Sequence, residues 1–210
     1  MGIAWVFPGQ GSQKIGMADP VLSLSGALER FELASKVLGR NLLEICNVKN
    51  ESSDELDDLN DTRNTQPALF VIQSLLIDDL KTQGRKPSLV AGHSLGEIAA
   101  LYCAEVFDFQ NALDLLKTRS ELMALAGGGA MTAVMGFDQP KLFEIVKNTE
   151  EVVIANDNSL DQVVLSGTSL AINQVLEKID CKRSINLKVS GAFHSPFMLE
   201  PAKLFAIELD

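Results

Sequence analysis

The chain has 210 residues, of which 46% are hydrophobic and 22% charged, and its formal net charge is −10 at pH 7. This length and composition indicate a globular protein of one domain, or of one domain with a small inserted module. The acidic balance argues against nucleic-acid binding, and no apolar run reaches the ~18 residues of a membrane-spanning helix, so we expect a cytoplasmic protein.

Cysteine usage gives no sign of a disulfide framework or a zinc site. Cys46, Cys103 and Cys181 lie far apart without a CxxC pair, and the chain has only two histidines. Disulfide scaffolds and zinc sites need clustered ligands. We therefore predict buried, reduced, structural cysteines and no bound metal.

The first part of the chain alternates short strands with helices. The predicted elements are a buried strand at 3–7, helices at 24–38, 41–46 and from about Thr65 to Gln83, a buried strand at 88–91, and helices after Gly96 and Asp108. Pro67 is placed in the first turn of the long helix and Gly84 beyond its end, which is the usual asymmetry. The acidic stretch 51–61 is interpreted as a solvated surface segment.

A different order of elements follows the triple glycine at 127–129. The predicted elements are strands at 130–137, 150–156, 161–167 and 182–193, with helices at 139–148 and 169–179. The order β-α-β-β-α-β within about 65 residues is that of the split, ferredoxin-like unit. We predict an α/β body formed by 1–126 and 193–210, with a small module at 127–192 inserted between them.

The strongest local signal is Gly92-His93-Ser94-Leu95-Gly96, a GxSxG pattern. It stands between a predicted strand and a predicted helix, where this pattern presents the serine on a sharp, strained turn. The Leu95 N–H, at the start of the helix, could stabilise the oxyanion that forms when Ser94 attacks a carbonyl. The alternative is a chance match in an ordinary strand-to-helix turn.

A second oxyanion donor is expected from the Gly-rich segment 8–13. This segment follows the first strand, at the sheet edge where α/β proteins bind ligands. Glycines 9 and 11 would let the backbone approach a ligand, and we assign the Gln10 N–H as the donor. The alternative is a turn without function, and the segment lacks the glycine spacing of a phosphate-binding loop.

A serine nucleophile needs a base, and the chain offers two histidines. His93 adjoins Ser94 in the turn, so its ring should point elsewhere, and we interpret it as a structural hydrogen-bonding residue. His194 lies between a predicted strand end and Pro196, in a position that suits a general base. For His194 the alternative is an ordinary surface-loop histidine.

Arg119 lies on a predicted helix that is otherwise rich in leucine and alanine. A carboxylate bound through two charged hydrogen bonds, each contributing about 1.5–3 kcal/mol, would supply the partner that such an arginine needs. On spacing alone, however, a surface salt bridge with Glu121 or Asp114 is the better interpretation.

Six motifs occur in order along the chain: FPGQGSQ, TQPAL, GHSLGE, an arginine on the next helix, NDNSLDQVVLSG and GAFHSPFM. Together they resemble the malonyl-CoA:acyl carrier protein transacylases of fatty acid synthesis and the acyltransferase domains of polyketide synthases. The resemblance covers essentially the whole chain. It implies an α/β-hydrolase-like body with an inserted ferredoxin-like subdomain. It also implies transfer of malonyl from malonyl-CoA to the phosphopantetheine thiol of acyl carrier protein, with no metal or redox cofactor.

The resemblance also implies a role for each site residue. Ser94 would be the acylated nucleophile and His194 its base, the amides of Gln10 and Leu95 would form the oxyanion hole, and Arg119 would bind the malonyl carboxylate. The remaining implied residues are Gln66 and Asn158, as supporting polar groups, and Phe193, which resembles the pattern of malonyl-selective members.

Members of this family usually continue past the point where this sequence stops. The resemblance implies that the further segment supplies a backbone carbonyl that orients the catalytic histidine, and the closing strands of the sheet. Nothing from Ser195 to Asp210 clearly replaces that carbonyl. We therefore expect part of the site geometry and reduced or no turnover.

Two other functions stay open. A serine hydrolase, such as a thioesterase, would use the same serine and histidine but release the acyl group to water. Such enzymes carry an acidic residue between the two in sequence, and no convincing candidate is present. A binding module that keeps the fold without catalysis is the second alternative.

Carrier-protein binding raises a question of charge, because carrier proteins are acidic and so is this chain. Docking would need a local basic patch. Lys182, Arg183 and Lys188 form the nearest basic run, and we expect them to contact the carrier protein.

Overall fold

The structure, a computed structural model, describes residues 2–47 and 58–209 of a mixed α/β protein. The chain divides into two compact units, Met1–Glu121 and Leu122–Asp210. Most of the acidic stretch 51–61 lies outside the described residues. Among the described helices, none is long and apolar enough to cross a membrane.

The first unit combines two strands with helices. Its elements are β1 (Ala4–Phe7), a 3₁₀ turn (Asp19–Val21), α1 (Ala27–Leu38), α2 (Leu42–Asn47), α3 (Thr62–Thr82), β2 (Leu89–Gly92), α4 (Gly96–Cys103) and α5 (Phe109–Ala126), which continues past the unit boundary. β1 and β2 pair in parallel, with Phe7 opposite Gly92. The two strands therefore end at the same edge of the sheet.

The two strands are less buried than predicted. Phe7 is buried and Trp5 half-buried against the core, but Val6 is 75% exposed and Leu89 64%. Successive side chains of a strand point to opposite faces. In the described part of the chain only one face of this sheet is covered, so the prediction of buried strands is wrong for the residues of the other face.

Helix α3 runs through the core of this unit, with Phe70, Leu75 and Ile77 almost fully buried. It begins three residues earlier than predicted, because Asp61 caps it by accepting a hydrogen bond from the Arg63 N–H at 2.8 Å.

Pro67 is consequently in the second turn of α3, not the first. A proline there cannot donate to the carbonyl four residues back, and that carbonyl, of Arg63, accepts from Arg40 Nη2 at 2.8 Å instead.

A polar cluster joins α1, α3 and α4. The Tyr102 hydroxyl donates to Asp78 at 2.8 Å, and Arg30 donates to both side chains while lying 4.8 Å from the centre of the Phe109 ring. Burial, and to a smaller extent the hydrogen bond to Asp78, raises the pKa of Tyr102 to about 12. Burial and Asp78 thus stabilise the neutral phenol, and the Arg30 cation opposes them.

The second unit is a four-stranded antiparallel sheet with helices. Its elements are β3 (Ala130–Phe137), α6 (Gln139–Lys147), β4 (Val152–Ser159), β5 (Gln162–Gly167), α7 (Ser169–Leu176), β6 (Cys181–Asn186), a 3₁₀ turn (Pro196–Met198) and α8 (Leu199–Leu209). The strand order is β4-β5-β3-β6. Apolar residues of α6 and α7, including Leu142 and Ile172, pack against one face of this sheet, and Phe193 packs among residues of the other face.

The last strand is shorter than predicted and ends at Asn186 instead of residue 193. Asn186 lies opposite Thr132, and the Leu187 N–H still donates to Met131. In this register Ala130, the first residue of β3, lies opposite position 188, so the ladder could not reach residue 193. Contacts group residues 193–210 with the second unit. Their place in the α/β body stays a prediction.

All three cysteines are free, as predicted. Cys46 and Cys103 are buried, and burial raises the pKa of both thiols, that of Cys46 to about 12. Cys181 is only half-buried because it lies on the edge strand β6, so its predicted burial is wrong. The described residues contain no group of three or more His, Cys, Asp or Glu that could hold a metal ion.

Candidate active site

Ser94 occupies a strained turn between β2 and α4. Its φ of +55° lies in the left-handed region, which non-glycine residues rarely adopt. A Cβ atom at Gly92 would lie 2.0 Å from the Gly96 carbonyl carbon, and one at Gly96 would lie 2.2 Å from the Phe7 oxygen. The glycines therefore let β1, β2 and α4 meet without a clash, as the GxSxG pattern predicts.

The two predicted oxyanion donors lie in this unit, each three residues after the end of a strand. Leu95 directly precedes α4, and Gln10 lies in the loop that follows β1. Within the described residues, neither backbone N–H has a hydrogen-bond acceptor. Both donors are thus available to a ligand oxygen.

The loop after β1 is held by side chains. Gln73 Nε2 donates to the Pro8 carbonyl at 2.9 Å, and Ser12 Oγ donates to the Gly9 carbonyl at 2.8 Å. A Cβ atom at Gly9 would lie 2.5 Å from the His93 oxygen. Gly9 is therefore required for packing of the loop on the serine turn, and its predicted approach to a ligand stays a prediction.

Arg119 contacts the serine directly. Its Nη2 donates to Ser94 Oγ at 3.1 Å, and its Nη1 donates to Gln66 Oε1. The salt bridge expected from spacing is absent from the described residues, because Glu121 pairs with Lys117 and Asp114 accepts from Gln110. That interpretation is wrong because it considered only neighbours on α5, whereas Gln66 comes from α3.

The electrostatic environment of Arg119 favours binding of an anion. Burial lowers the pKa of its guanidinium, and the nearby Glu97 carboxylate partly opposes this. Arginine nevertheless stays protonated in proteins. A half-buried cation whose described hydrogen bonds go to neutral groups favours a ligand that carries a carboxylate.

A buried polar stripe on α3 supports these groups. Thr62, Gln66 and Gln73 are 1%, 0% and 7% exposed, and they recur at helical spacing along one side of the helix. Gln66 Nε2 donates to Thr62 Oγ1 at 2.8 Å, and Thr62 Oγ1 donates to Gln10 Oε1 at 3.0 Å. Of the three, only Gln66 is predicted from the sequence.

His194 belongs to the second unit and is exposed, with a φ of +56°. The residues before it are fixed: Phe193 is 4% exposed, and its carbonyl accepts from the buried Ser166 hydroxyl at 2.6 Å. On the other side, Ser195 Oγ donates to the Ala192 carbonyl at 2.5 Å. Sequence reasoning overlooked Ser166, which is the polar residue at the end of the VVLSG strand.

Asn158 lies on β4, at the opposite end of the β4–β5 pair from Ser166. It is exposed near the turn that joins β4 to β5, and its Nδ2 donates to Gln162 Oε1 at 3.3 Å. The described contacts therefore do not bring Asn158 to Phe193 or His194, and its role in substrate binding stays a prediction.

Residues 4–209 match the acyl transferase domain family, and the chain belongs to this family. It is 50% identical over 206 residues to the malonyl CoA-acyl carrier protein transacylase of Synechocystis. The aligned region covers 98% of this chain and 68% of that protein. The resemblance found in the six motifs is thus confirmed.

Solved structures agree with this assignment. The crystal structure of the Synechocystis sp. PCC 6803 malonyl-CoA:ACP transacylase superposes with a TM-score of 0.92 at 49% identity, covering 100% of this chain and 69% of the other. A type II PKS acyl-carrier protein in complex with its malonyl-transacylase gives a TM-score of 0.88 at 35% identity, covering 100% and 70%.

Proposed function

We propose that the chain transfers malonyl from malonyl-CoA to the phosphopantetheine thiol of acyl carrier protein, through a malonyl ester of Ser94. The observation that carries this is the 3.1 Å hydrogen bond from Arg119 Nη2 to Ser94 Oγ. A cation beside a nucleophile on a strained turn suits an acyl group whose free carboxylate lies close to the reacting carbonyl. The activity named for the Synechocystis relative is the same.

In the first half-reaction, His194 takes the Ser94 proton as Ser94 Oγ attacks the thioester carbon. The charge on the carbonyl oxygen is stabilised by the Gln10 and Leu95 N–H groups, and one such donor is typically worth about 10²–10³ in rate. The carbon–sulfur bond then breaks, and protonated His194 returns the proton to the departing CoA thiolate. The products are malonyl-Ser94 and CoA.

The second half-reaction reverses these steps. His194 takes the proton of the carrier's phosphopantetheine thiol, and the sulfur attacks the ester carbon of malonyl-Ser94. Ser94 Oγ leaves and recovers its proton from His194. Because the incoming thioester is already activated, this chemistry balances without an oxidant, a reductant or a metal.

Selectivity for malonyl follows from Arg119. A donor without a carboxylate, such as acetyl-CoA, would leave the desolvated guanidinium without an anionic partner, which is a larger penalty than a lost methylene. We propose Phe193, buried beside His194, as a further determinant of acyl selectivity, and Gln66 and Asn158 as supporting polar residues.

For the fold we propose an α/β-hydrolase-like body, 1–126 and 193–210, with a ferredoxin-like subdomain at 127–192. The β3-α6-β4-β5-α7-β6 sequence and the antiparallel order β4-β5-β3-β6 support the subdomain. The turn of Ser94 at the carboxyl ends of the parallel strands β1 and β2 supports the body.

We also propose that acyl carrier protein docks on basic residues of β6 and the segment after it. Lys182, Arg183 and Lys188 are exposed in the second unit. A carrier protein in complex with its transacylase is known for a similar structure. Fatty acid synthesis and a cytoplasmic location stay our predictions, since relatives serve polyketide carriers as well.

Intact-mass measurement after incubation with malonyl-CoA tests the proposed activity. We expect an adduct about 86 Da heavier than the free chain, because malonyl replaces a hydrogen, and no adduct on Ser94→Ala. Addition of holo carrier protein should move the label to the carrier. Release of malonate to water instead would indicate a hydrolase, and absence of any adduct would indicate a binding module.

A further inference from the structure

A continuous chain of side-chain hydrogen bonds connects Arg119 to the loop that carries Gln10. Arg119 Nη1 donates to Gln66 Oε1, Gln66 Nε2 donates to Thr62 Oγ1 at 2.8 Å, and Thr62 Oγ1 donates to Gln10 Oε1 at 3.0 Å. Thr62 and Gln66 are 1% and 0% exposed, so water cannot readily replace the hydrogen bonds that these two side chains make.

The direction of every bond in this chain is set by its first member. A guanidinium only donates, so Gln66 must present its carbonyl oxygen to Arg119 and its amide nitrogen to Thr62. The Thr62 hydroxyl has one proton, which it must give to Gln10. The carboxamide of Gln10 therefore has its orientation determined from Arg119, at the other end of the chain.

Thr62 is the link that contacts Gln10. The same loop is held independently by Gln73 at Pro8 and by Gln13, whose Nε2 donates to Asn60 at 3.1 Å. Loss of the Thr62 bond would therefore leave the other contacts of the loop intact and release only the Gln10 side chain. The expected effect is a local change in the position of the Gln10 backbone N–H.

We propose that Thr62 is a positioning residue that couples the carboxylate anchor Arg119 to the oxyanion donor at Gln10. The role of the coupled groups rests on the function proposed above. Thr62 does not touch the reacting atoms; its hydroxyl keeps Gln10 in the orientation that Arg119 and Gln66 dictate. The coupling should act on the rate of acylation and not on the affinity for the acyl donor.

Two variants at this position separate the hydroxyl from the rest of the side chain. Thr62→Val keeps the shape and removes the hydroxyl, whereas Thr62→Ser keeps the hydroxyl and removes the methyl group. We expect Thr62→Val to lower the rate of Ser94 acylation by about 10-fold or more, with the KM for malonyl-CoA within about 2-fold of wild type. Thr62→Ser should restore most of the rate. Equal impairment of both variants, or a wild-type rate in Thr62→Val, would overturn the proposal.

A double-mutant cycle tests the coupling itself. Gln10→Leu removes the acceptor but keeps the backbone N–H, so Thr62→Val should have almost no further effect in that background. Additive effects of the two changes would show that Thr62 acts by another route.

A spectroscopic arm makes the test independent of activity. In NMR spectra, Thr62→Val should shift the side-chain amide signals of Gln10 and Gln66, whereas Thr62→Ser should leave them nearly unchanged. Unshifted Gln10 signals in Thr62→Val would overturn the coupling even if the chain forms no malonyl adduct. A missing adduct on the wild type, together with the expected shifts, would refute the proposed function alone.

Discussion

The hydroxyl of Ser166 donates a 2.6 Å hydrogen bond to the carbonyl of Phe193, the residue before His194. Both residues are buried, at 0% and 4% exposed, so this bond ties the histidine loop to strand β5. Through this bond a side chain of the sheet holds the backbone next to His194, the proposed base.

Replacing Ser166 by alanine should loosen this loop. The buried carbonyl of Phe193 would lose its donor, which costs about 1–3 kcal/mol of unfolding free energy. We expect a lower melting temperature and a slower acylation of Ser94. The chain has two histidines, so NMR can follow each ring, and the His194 signals should change while those of His93 stay. Ser184→Ala, at an exposed serine of β6, is the matched control, and equal effects of both variants would contradict this account.

Replacing Arg119 by glutamine should change the choice of acyl donor. The loss of two charged hydrogen bonds to the malonyl carboxylate should lower the acylation rate with malonyl-CoA by about 10²-fold or more. The rate with acetyl-CoA should change much less. The malonyl-CoA rate of Arg119→Lys should lie between those of the wild type and Arg119→Gln, because lysine keeps the charge but not the planar guanidinium. Lys117→Gln, on the same helix, removes one charge from a surface pair and should leave the malonyl-to-acetyl ratio unchanged. A constant ratio in Arg119→Gln would contradict the anchor role.

Charge reversal on β6 should weaken carrier-protein docking. We expect Lys182→Glu with Arg183→Glu to raise the KM for carrier protein by about 10-fold at low ionic strength, since charges at an interface rim act mainly on association. The KM for malonyl-CoA should stay within about 2-fold. Lys141→Glu with Lys147→Glu makes the same charge change on the exposed side of α6 and serves as the control. If both substrates respond equally, or neither does, the docking surface lies elsewhere.

Tyr102 should titrate far above a free tyrosine. It is the one tyrosine of the chain, so the ultraviolet absorbance of the phenolate reports on it alone. We expect a midpoint near the pKa of about 12 in the folded chain and near the ordinary value of about 10 in denaturant. A folded-state midpoint near the ordinary value would contradict the burial of the phenol together with its Asp78 contact.

The same shift makes stability depend on pH in the alkaline range. The folded chain keeps the Tyr102 proton to higher pH than the unfolded chain, so the stabilisation is complete below about pH 10 and is lost as pH rises through about 12. Tyr102→Phe cannot lose a proton and should show a smaller decline over this window. Denaturant unfolding at a series of pH values would measure both.

Local signals predicted much of this site. The glycines around Ser94, the strand before it and the helix after it specify the strained turn within a few residues. The helix predicted after Asp108 is likewise capped locally, since Asp108 accepts from the Asn111 N–H at 2.8 Å. Such features depend on neighbours in sequence, so the sequence is sufficient to predict them.

Contacts between distant segments could not be predicted in the same way. Placing the start of α3 at Thr65 put Thr62 outside the helix, and its position one turn before Gln66 was therefore missed. Nothing in sequence spacing indicates that Arg119 meets Gln66, because that contact depends on how α3 and α5 pack. The end of β6 was also misjudged, since it depends on the register in which β6 pairs with β3.

With Arg119 in its proposed role, its hydrogen bond to Gln66 would limit the length of the acyl group as well as its charge. Gln66 is fully buried on α3 and accepts from the guanidinium that also contacts Ser94. A succinyl group is one methylene longer, and for Arg119 to follow its carboxylate, the buried Gln66 oxygen would lose that donor. Accepting longer diacids would thus require remodelling of the helix behind the arginine, not only of the surface that meets the substrate.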